Sequence, residues 1–244
     1  MTRWVPGIDW DKHRVILMPQ IPPDSLRHHY NRVDILPLTI PPDLYSRISS
    51  FHSAPVLWWV GQVVRYVFRP KKEIQKFIDK SAESLGFTGS VIGLQIRRTD
   101  KHIEAPPQPL KKYMAEVKYY FGRVESKQNG ENINRKVFLA TDAPDLLSEV
   151  REMYPDYTFL SNNTMSRLAS LPRTRYTEES LHGILTDLWL LARCEFLVCT
   201  LSSNVCRVAY QLMQTLRGDA TRNVVSVDDT SRDDISQLFT AKTG

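Results

Sequence analysis

Apolar and polar positions change their rhythm once along this chain, close to residue 90. Before it, "DLYSRISSF", "PVLWWVGQVVRYVF" and "KKEIQKFIDKSAESLGF" repeat apolar residues at intervals of three and four. That spacing predicts three consecutive helices from Asp43 onward. In the third, Ile74, Phe77, Ile78 and Leu85 share one stripe and Gly86 stands as a C-terminal stop. The first forty residues hold "MPQIPPDS" and "LPLTIPPDL", whose Pro-Pro pairs block helix and predict irregular chain. The adjacent Trp58 and Trp59 fit core packing better than a sugar-stacking platform, because both flanks are apolar.

Beyond residue 90, short apolar runs alternate with helical stretches. Strands are predicted at "VIGLQI" (Val91 to Ile96), "KVFLAT" (Lys136 to Thr141), "YTFL" (Tyr157 to Leu160), "EFLVCT" (Glu195 to Thr200) and "NVVSVD" (Asn223 to Asp228). Helices fall between them, at 108–126, 144–153, 178–193 and 203–216, and "ESKQNGENINRK" reads as a polar loop. The β-α-β-α order predicts an α/β fold, a Rossmann-like doubly wound parallel sheet preceded by a helical segment. Residues 1–88 then form an N-terminal irregular and helical segment, 89–230 the Rossmann-like domain, and 231–244 a loosely held tail.

Composition narrows the classes. A chain of 244 residues that is 42% hydrophobic can bury an ordinary core. Its net charge of +5 suits an anionic ligand, but the basic residues are scattered, which disfavours nucleic acid as a partner. No apolar run reaches the roughly 20 residues of a membrane span, and "MTRWVPGIDWDKHR" lacks the apolar core of a signal peptide. Three cysteines, 194, 199 and 206, form a C-x4-C-x6-C array without the paired C-x2-C halves of a zinc site.

Three strand ends carry unusual chemistry. "VIGLQIRRTDKHIEAP" sets Arg97, Arg98, Asp100, Lys101 and Glu104 directly after a buried strand, where open parallel sheets bind ligands. "LATDAPDLL" offers Thr141 and Asp142 as caps for the next helix, and "FLVCTLSSNVCRVAY" runs from a strand through Thr200, Ser202, Ser203 and Asn204 into another. Hydroxyls and free N–H groups at a helix start bind phosphate, and arginine forks match its geometry. Each element has a plainer reading. Ser202, Ser203, Asn204 and Asp142 are ordinary caps; Arg97 and Arg98 are a surface pair or partners of Asp100. The last reading is the weaker, because successive strand residues point to opposite faces of a covered sheet. Asp187 lies at the margin of a stripe of Leu181, Ile184, Leu185 and Leu188, where a solvated acid is unremarkable. Pattern alone stops at an anionic nucleotide or nucleotide-sugar ligand.

"WWVGQVVRYVFRP", "VIGLQIRRTDKHIEAPPQPLKKYM", "LATDAPDLLSEVREMYPDYTFLSNN" and "RYTEESLHGILTDLWLLARCEFLVCTLSSNVCRVAYQLMQTL" resemble the catalytic region of the α-1,6-fucosyltransferases, from about Ile35 to Asp229. The resemblance implies a GDP-fucose donor, a GT-B-like donor domain and, as acceptor, the 6-hydroxyl of the innermost N-acetylglucosamine of N-glycans on glycoproteins. It implies inversion at the sugar carbon, no metal and no other cofactor. By match of motif, Arg97 and Arg98 hold the donor, Arg97 on the diphosphate, with Asp100, Lys101, Tyr113 and Asp142 in the same site. Asp187 reads the guanine edge and Ser203 with Asn204 binds phosphate. Glu104 is the general base that takes the acceptor proton, assisted by Lys101. One loop can then face the attacking hydroxyl with a carboxylate while cations stabilise the leaving diphosphate. The resemblance also implies a Cys199–Cys206 disulfide, a free Cys194 and the Golgi lumen, an oxidising compartment in which Asn162 of "NNT" is a glycosylation sequon.

The departures are specific. The family usually has histidine at Gln95, glutamine at Asn204 and aspartate at Ala143, and one residue is missing between Lys101 and Glu104. A carboxylate displaced by about an ångström loses catalysis steeply. The family's membrane anchor, coiled-coil stem, early catalytic region and SH3-like domain have no counterpart in these residues, which predicts a truncated or divergent member. The alternative function is therefore a catalytically inactive relative that binds GDP-sugar or a partner protein; a nucleic-acid binder is a distant third and predicts strongly salt-dependent binding.

No Asp-x-Asp triplet stands at the three ligand-bearing strand ends; "TDAPD" spaces its acids three apart and "VDD" lies beside the tail. Arg97, Arg98 and Lys101 carry enough charge to offset a diphosphate of roughly −2 to −3. GDP affinity measured by calorimetry is expected to be the same in excess chelator and in added magnesium or manganese. A loss of about tenfold or more in chelator would contradict this.

Overall fold

The computed structural model describes residue 40 and residues 42–98, 106–127, 133–162, 166–167 and 177–228. The first Pro-Pro pair, the tail, and Asp100, Lys101 and Glu104 lie outside the described residues; Pro42 of the second pair opens the first helix, where its missing N–H costs no hydrogen bond. The three expected N-terminal helices are α1 (Pro42–Ser49), α2 (Pro55–Val67) and α3 (Lys72–Ser84). Helix α3 ends as its sequence suggests: Gly86 adopts φ 67°, Phe87 N–H donates to Ala82 O and Gly86 N–H to Glu83 O. That is a Schellman closure, which needs a left-handed residue at this point. Trp58 packs edge-on against Phe51, and both tryptophans lie on the small core of α1 and α2.

Five parallel strands follow: β1 (Val91–Ile96), β2 (Lys136–Thr141), β3 (Thr158–Leu160), β4 (Phe196–Cys199) and β5 (Val224–Ser226). Helices α4 (Leu110–Lys127), α5 (Leu146–Met153), α6 (Glu178–Arg193) and α7 (Asn204–Arg217) connect them. The sheet order is β3-β2-β1-β4-β5, the doubly wound arrangement expected. Chain direction switches sides between β1 and β4.

Strand parity assigns the two layers. Ile92, Leu94 and Ile96 of β1 pack with Val137 and Leu139 of β2 against Tyr113, Val117 and Phe121 of α4 and Leu146 and Val150 of α5. Val91, Phe138 and Ala140 face the other way, onto Leu190 and Leu191 of α6 and Ala209 and Met213 of α7. At Gly93 a Cβ would stand 3.1 Å from Leu191 and 3.2 Å from Cys194 Sγ, so α6 packs tightly on the middle of β1.

Helices α2 and α3 share the second core through Leu57 and Ile78. A polar clamp fixes their entry. Ala54 N–H donates to His52 Nδ1 at 3.0 Å, which leaves the ring proton on Nε2, 3.0 Å from Gln214 Oε1. Ser53 gives its N–H and hydroxyl to Asp219 Oδ2. Burying His52 is tolerated because both its ring nitrogens are bonded in place of water; Gln214 Oε1 also accepts the Ala220 N–H, while its Nε2 has no partner among the described residues.

Helices α2 and α7 touch at Gly61, where a Cβ would lie 2.6 Å from Gln211 O. Gly61→Ala is expected to lower unfolding free energy by about 1–3 kcal/mol in chemical denaturation, since backbone must move. Gly122→Ala on open α4 is the control: nothing lies within 4 Å, and removing a helical glycine should stabilise by about 0.5–1 kcal/mol.

Candidate functional site

The alternation of β1 continues past its end and parts the two arginines. Gln95 and Arg97 lie on the α6–α7 side, and Arg98 reaches α5 on the other. Asp142, just beyond β2, binds both. Its Oδ1 accepts the Arg98 N–H at 2.8 Å and its Oδ2 lies 3.7 Å from Arg97 Nε. The Arg98 guanidinium makes a two-pronged pair with Glu149, at 2.6 and 3.1 Å. That fork raises the Arg98 pKa and lowers that of Glu149.

This corrects one sequence reading. Asp142 and Thr141 do not cap α5: Asp145 holds the N-cap position, and Thr141 Oγ1 instead accepts the nearby Ala143 N–H. Asp142 ties the exits of two strands together.

Beyond these exits lies a pocket of about 170 Å³, lined by Gln95, Arg97, Ala140, Thr141, Asp142, Ile184, Asp187 and Val205. Whole drug-sized ligands fill roughly 300–1,000 Å³, so this volume takes one ring system of a larger ligand. Its polar groups converge from three elements, β1, β2 and α6. Gln95 is 4% exposed, and its Oε1 has no hydrogen-bond partner among the described residues, an acceptor seeking a donor. Asp187 is of intermediate exposure, and loss of water around its carboxyl pushes the pKa from 3.8 up to about 7. Of the stripe expected beside it, Leu188 is in the core and Leu185 is half-buried. Leu181 and Ile184 are exposed, and Ser180, Gly183, Thr186 and Leu190 are buried in their place.

At the start of α7, Ser203 is the N-cap residue, but its side chain makes no capping bond. It is 0% exposed and its Oγ lacks a partner among the described residues. Asn204 is exposed, and its Oδ1 accepts from Arg207. Ser202 is not available as a phosphate-binding hydroxyl, because its N–H and Oγ both donate to Asp228 Oδ2. Tyr113, 2% exposed in the α4 layer, shares a hydrogen bond with the Thr200 side chain. Burial pushes its phenol up to about 12, so it acts as a neutral group and not as a base. Cys199 and Cys206 form a disulfide with a Cα separation of 6.1 Å, and Cys194 is a buried free thiol.

The structure therefore gathers Arg97, Asp142 and Asp187 at one pocket, and places Arg98 and Tyr113 on the opposite layer beside it. Gln95, Glu149 and Asp228 are partners that sequence reasoning did not use. Strand parity alone puts Gln95 on the side of Arg97; the two acids make contacts across 26 residues or more, which no local pattern carries. Among the described residues, no three His, Cys, Asp or Glu side chains cluster to hold a metal, and no helix is long and apolar enough to cross a membrane.

A doubly wound parallel sheet with a cationic and acidic pocket beyond its carboxyl edge belongs to the class of α/β domains whose ligands bind outside the carboxyl ends of the strands. The chain belongs to the α-(1,6)-fucosyltransferase family: residues 2–231 match "Alpha-(1,6)-fucosyltransferase N- and catalytic domains". It is 39% identical over 217 residues to an alpha-(1,6)-fucosyltransferase of Drosophila melanogaster, covering 88% of this chain and 34% of that protein. With the Caenorhabditis elegans alpha-(1,6)-fucosyltransferase it shares 37% over 196 residues, 80% of this chain and 35% of the relative. The chain thus spans about a third of the length of these curated relatives. A crystal structure of fucosyltransferase NodZ from Bradyrhizobium is 22% identical with a TM-score of 0.32, over 57% of this chain and 41% of that one, and nothing further rests on that overlap.

Asp187 gives the fold a pH dependence. Because its carboxyl is raised, from 3.8 to about 7, the folded protein keeps a proton that the unfolded chain releases. Its contribution is most favourable below pH 4 and is lost as pH rises to 7. Thermal melting is expected to fall more between pH 5 and pH 8 in the native protein than in Asp187→Asn. Equal slopes would show that Asp187 is not desolvated.

Proposed function

We propose that this chain binds GDP-fucose beyond the carboxyl edge of its sheet and transfers fucose to the 6-hydroxyl of the innermost N-acetylglucosamine of N-glycans, with inversion and without a metal. The observation that carries the reading is the meeting of Arg97 and Asp187 in one pocket of a chain of this family. Arg97 takes the diphosphate, with Ser203, Asn204 and the start of α7 opposite it. Asp187 accepts from the guanine N1–H and amino group. An acid that resists ionisation gains most from such donors, because they supply what water does not.

Arg98 serves the donor through the strand exit it shares with Asp142, Tyr113 supports the same edge, and Asp100 belongs to the site by motif match. Glu104 takes the proton from the acceptor hydroxyl as the sugar carbon is attacked, and Lys101 orients it. These last roles rest on motif match. The Cys199–Cys206 disulfide supports an oxidising compartment, the Golgi lumen, with glycoproteins as acceptors. The shortened Lys101 to Glu104 spacing favours one competing reading, a relative that binds GDP-sugar without turnover.

A transfer assay with GDP-fucose and a biantennary N-glycan separates the two. Core-fucosylated product confirms transfer, and GDP binding without product establishes the binding-only relative. Arg97→Ala is expected to weaken GDP by about 2 kcal/mol, the loss of a charge-assisted fork. Glu104→Gln is expected to keep GDP affinity and abolish transfer; undiminished turnover would remove Glu104 from the mechanism.

A further inference from the structure

Asp228 lies two residues past β5, outside the set of residues assigned to donor or acceptor, yet it holds the turn between β4 and α7. Its Oδ2 accepts the Ser202 N–H at 3.1 Å and the Ser202 hydroxyl, and its Oδ1 accepts the Ser226 hydroxyl. Ser226 Oγ in turn accepts the Leu201 N–H at 2.9 Å. Val227 N–H donates to Cys199 O, so the end of β5 is joined to the turn from both its sides. Within the turn, Ser203 N–H donates to Thr200 O at 2.9 Å, and the Thr200 side chain is bound to Tyr113.

A carboxylate close to a diphosphate site is unfavourable by charge alone. Here the Asp228 charge is satisfied by donors of the turn itself, which draws Ser202 away from the ligand side. Ser203 remains, fully buried with a hydroxyl unpartnered among the described residues, next to Asn204 at the first position of α7. We propose that Asp228 is a positioning residue: by holding Ser202 it sets the Thr200–Ser203 turn, and so the place of Ser203, Asn204 and the α7 N-terminus against the diphosphate. This rests on the donor-site reading above. Three bonds from one side chain matter here because β5 has only three residues and, among the described residues, pairs on one side, so the sheet holds this edge weakly.

The role separates phosphate from base. Competition calorimetry with GDP and with guanosine, on native protein and on Asp228→Ala, is expected to show GDP affinity lowered about tenfold and guanosine affinity within about twofold. Asp228→Asn, whose carbonyl still accepts from Ser202, is expected to return GDP affinity to within about threefold of native. Equal GDP affinity in Asp228→Ala overturns the proposal, and so does a parallel loss of GDP and guanosine, which marks a general structural role. Should Asp228→Ala not fold, Ser202→Ala carries the same test, with a GDP-only loss expected and an unchanged or parallel result overturning it. Native protein that binds neither ligand overturns the donor-site reading itself, which is a different outcome from an unchanged variant.

Discussion

Asp142 accepts the backbone N–H of Arg98 across the sheet, and the directions of Arg97 and Arg98 follow from that bond. A strand leaving a parallel sheet has unpaired backbone groups at its carboxyl end, and a buried one left unpaired costs about 1–3 kcal/mol. The carboxylate satisfies one such group and keeps Arg97 within 3.7 Å on the α6 side. With the exit fixed, parity leaves Arg98 no route except toward α5, where Glu149 receives it. Two adjacent arginines thereby take different tasks: one guanidinium lines the pocket and the other anchors the edge.

The remainder of the site is made of groups that water no longer satisfies. Gln95 Oε1 and Ser203 Oγ are buried without partners among the described residues, and Asp187 is driven toward its neutral form. In a core such groups are a defect; beside a pocket they are stored selectivity, because a ligand that lacks matching donors leaves them unsatisfied. The core layers make this tolerable. Leu190, Leu191, Ala209 and Met213 bury their side chains against the sheet, and Gln95, Arg97 and Asp187 sit at its carboxyl edge.

Much of this was legible in the sequence where the governing interactions are local. The order of strands and helices followed from periodicity, and Gly86 marked its helix end because a left-handed residue is needed there. The opposite faces of Arg97 and Arg98 followed from the period of two. Non-local partners were not legible. Asp142 looks like a helix cap in one dimension, and only the pairing of β1 with β2 makes it a bridge. Ser202 looks like a free hydroxyl until β5 brings Asp228 beside it. The stripe around Asp187 held only at Leu188, because α6 is buried on a broad face toward its C-terminal end, while Ile184 in its second turn lines the pocket. The family match adds what neither periodicity nor parity contains, membership of the α-(1,6)-fucosyltransferases.

A crystal structure of the chain with GDP is the most direct measurement of whether this edge is a donor site. Guanine hydrogen-bonded to the Asp187 carboxylate, with the diphosphate between Arg97 and the start of α7, is the expected result. GDP bound elsewhere with the pocket of Gln95, Arg97 and Asp187 unoccupied would contradict it.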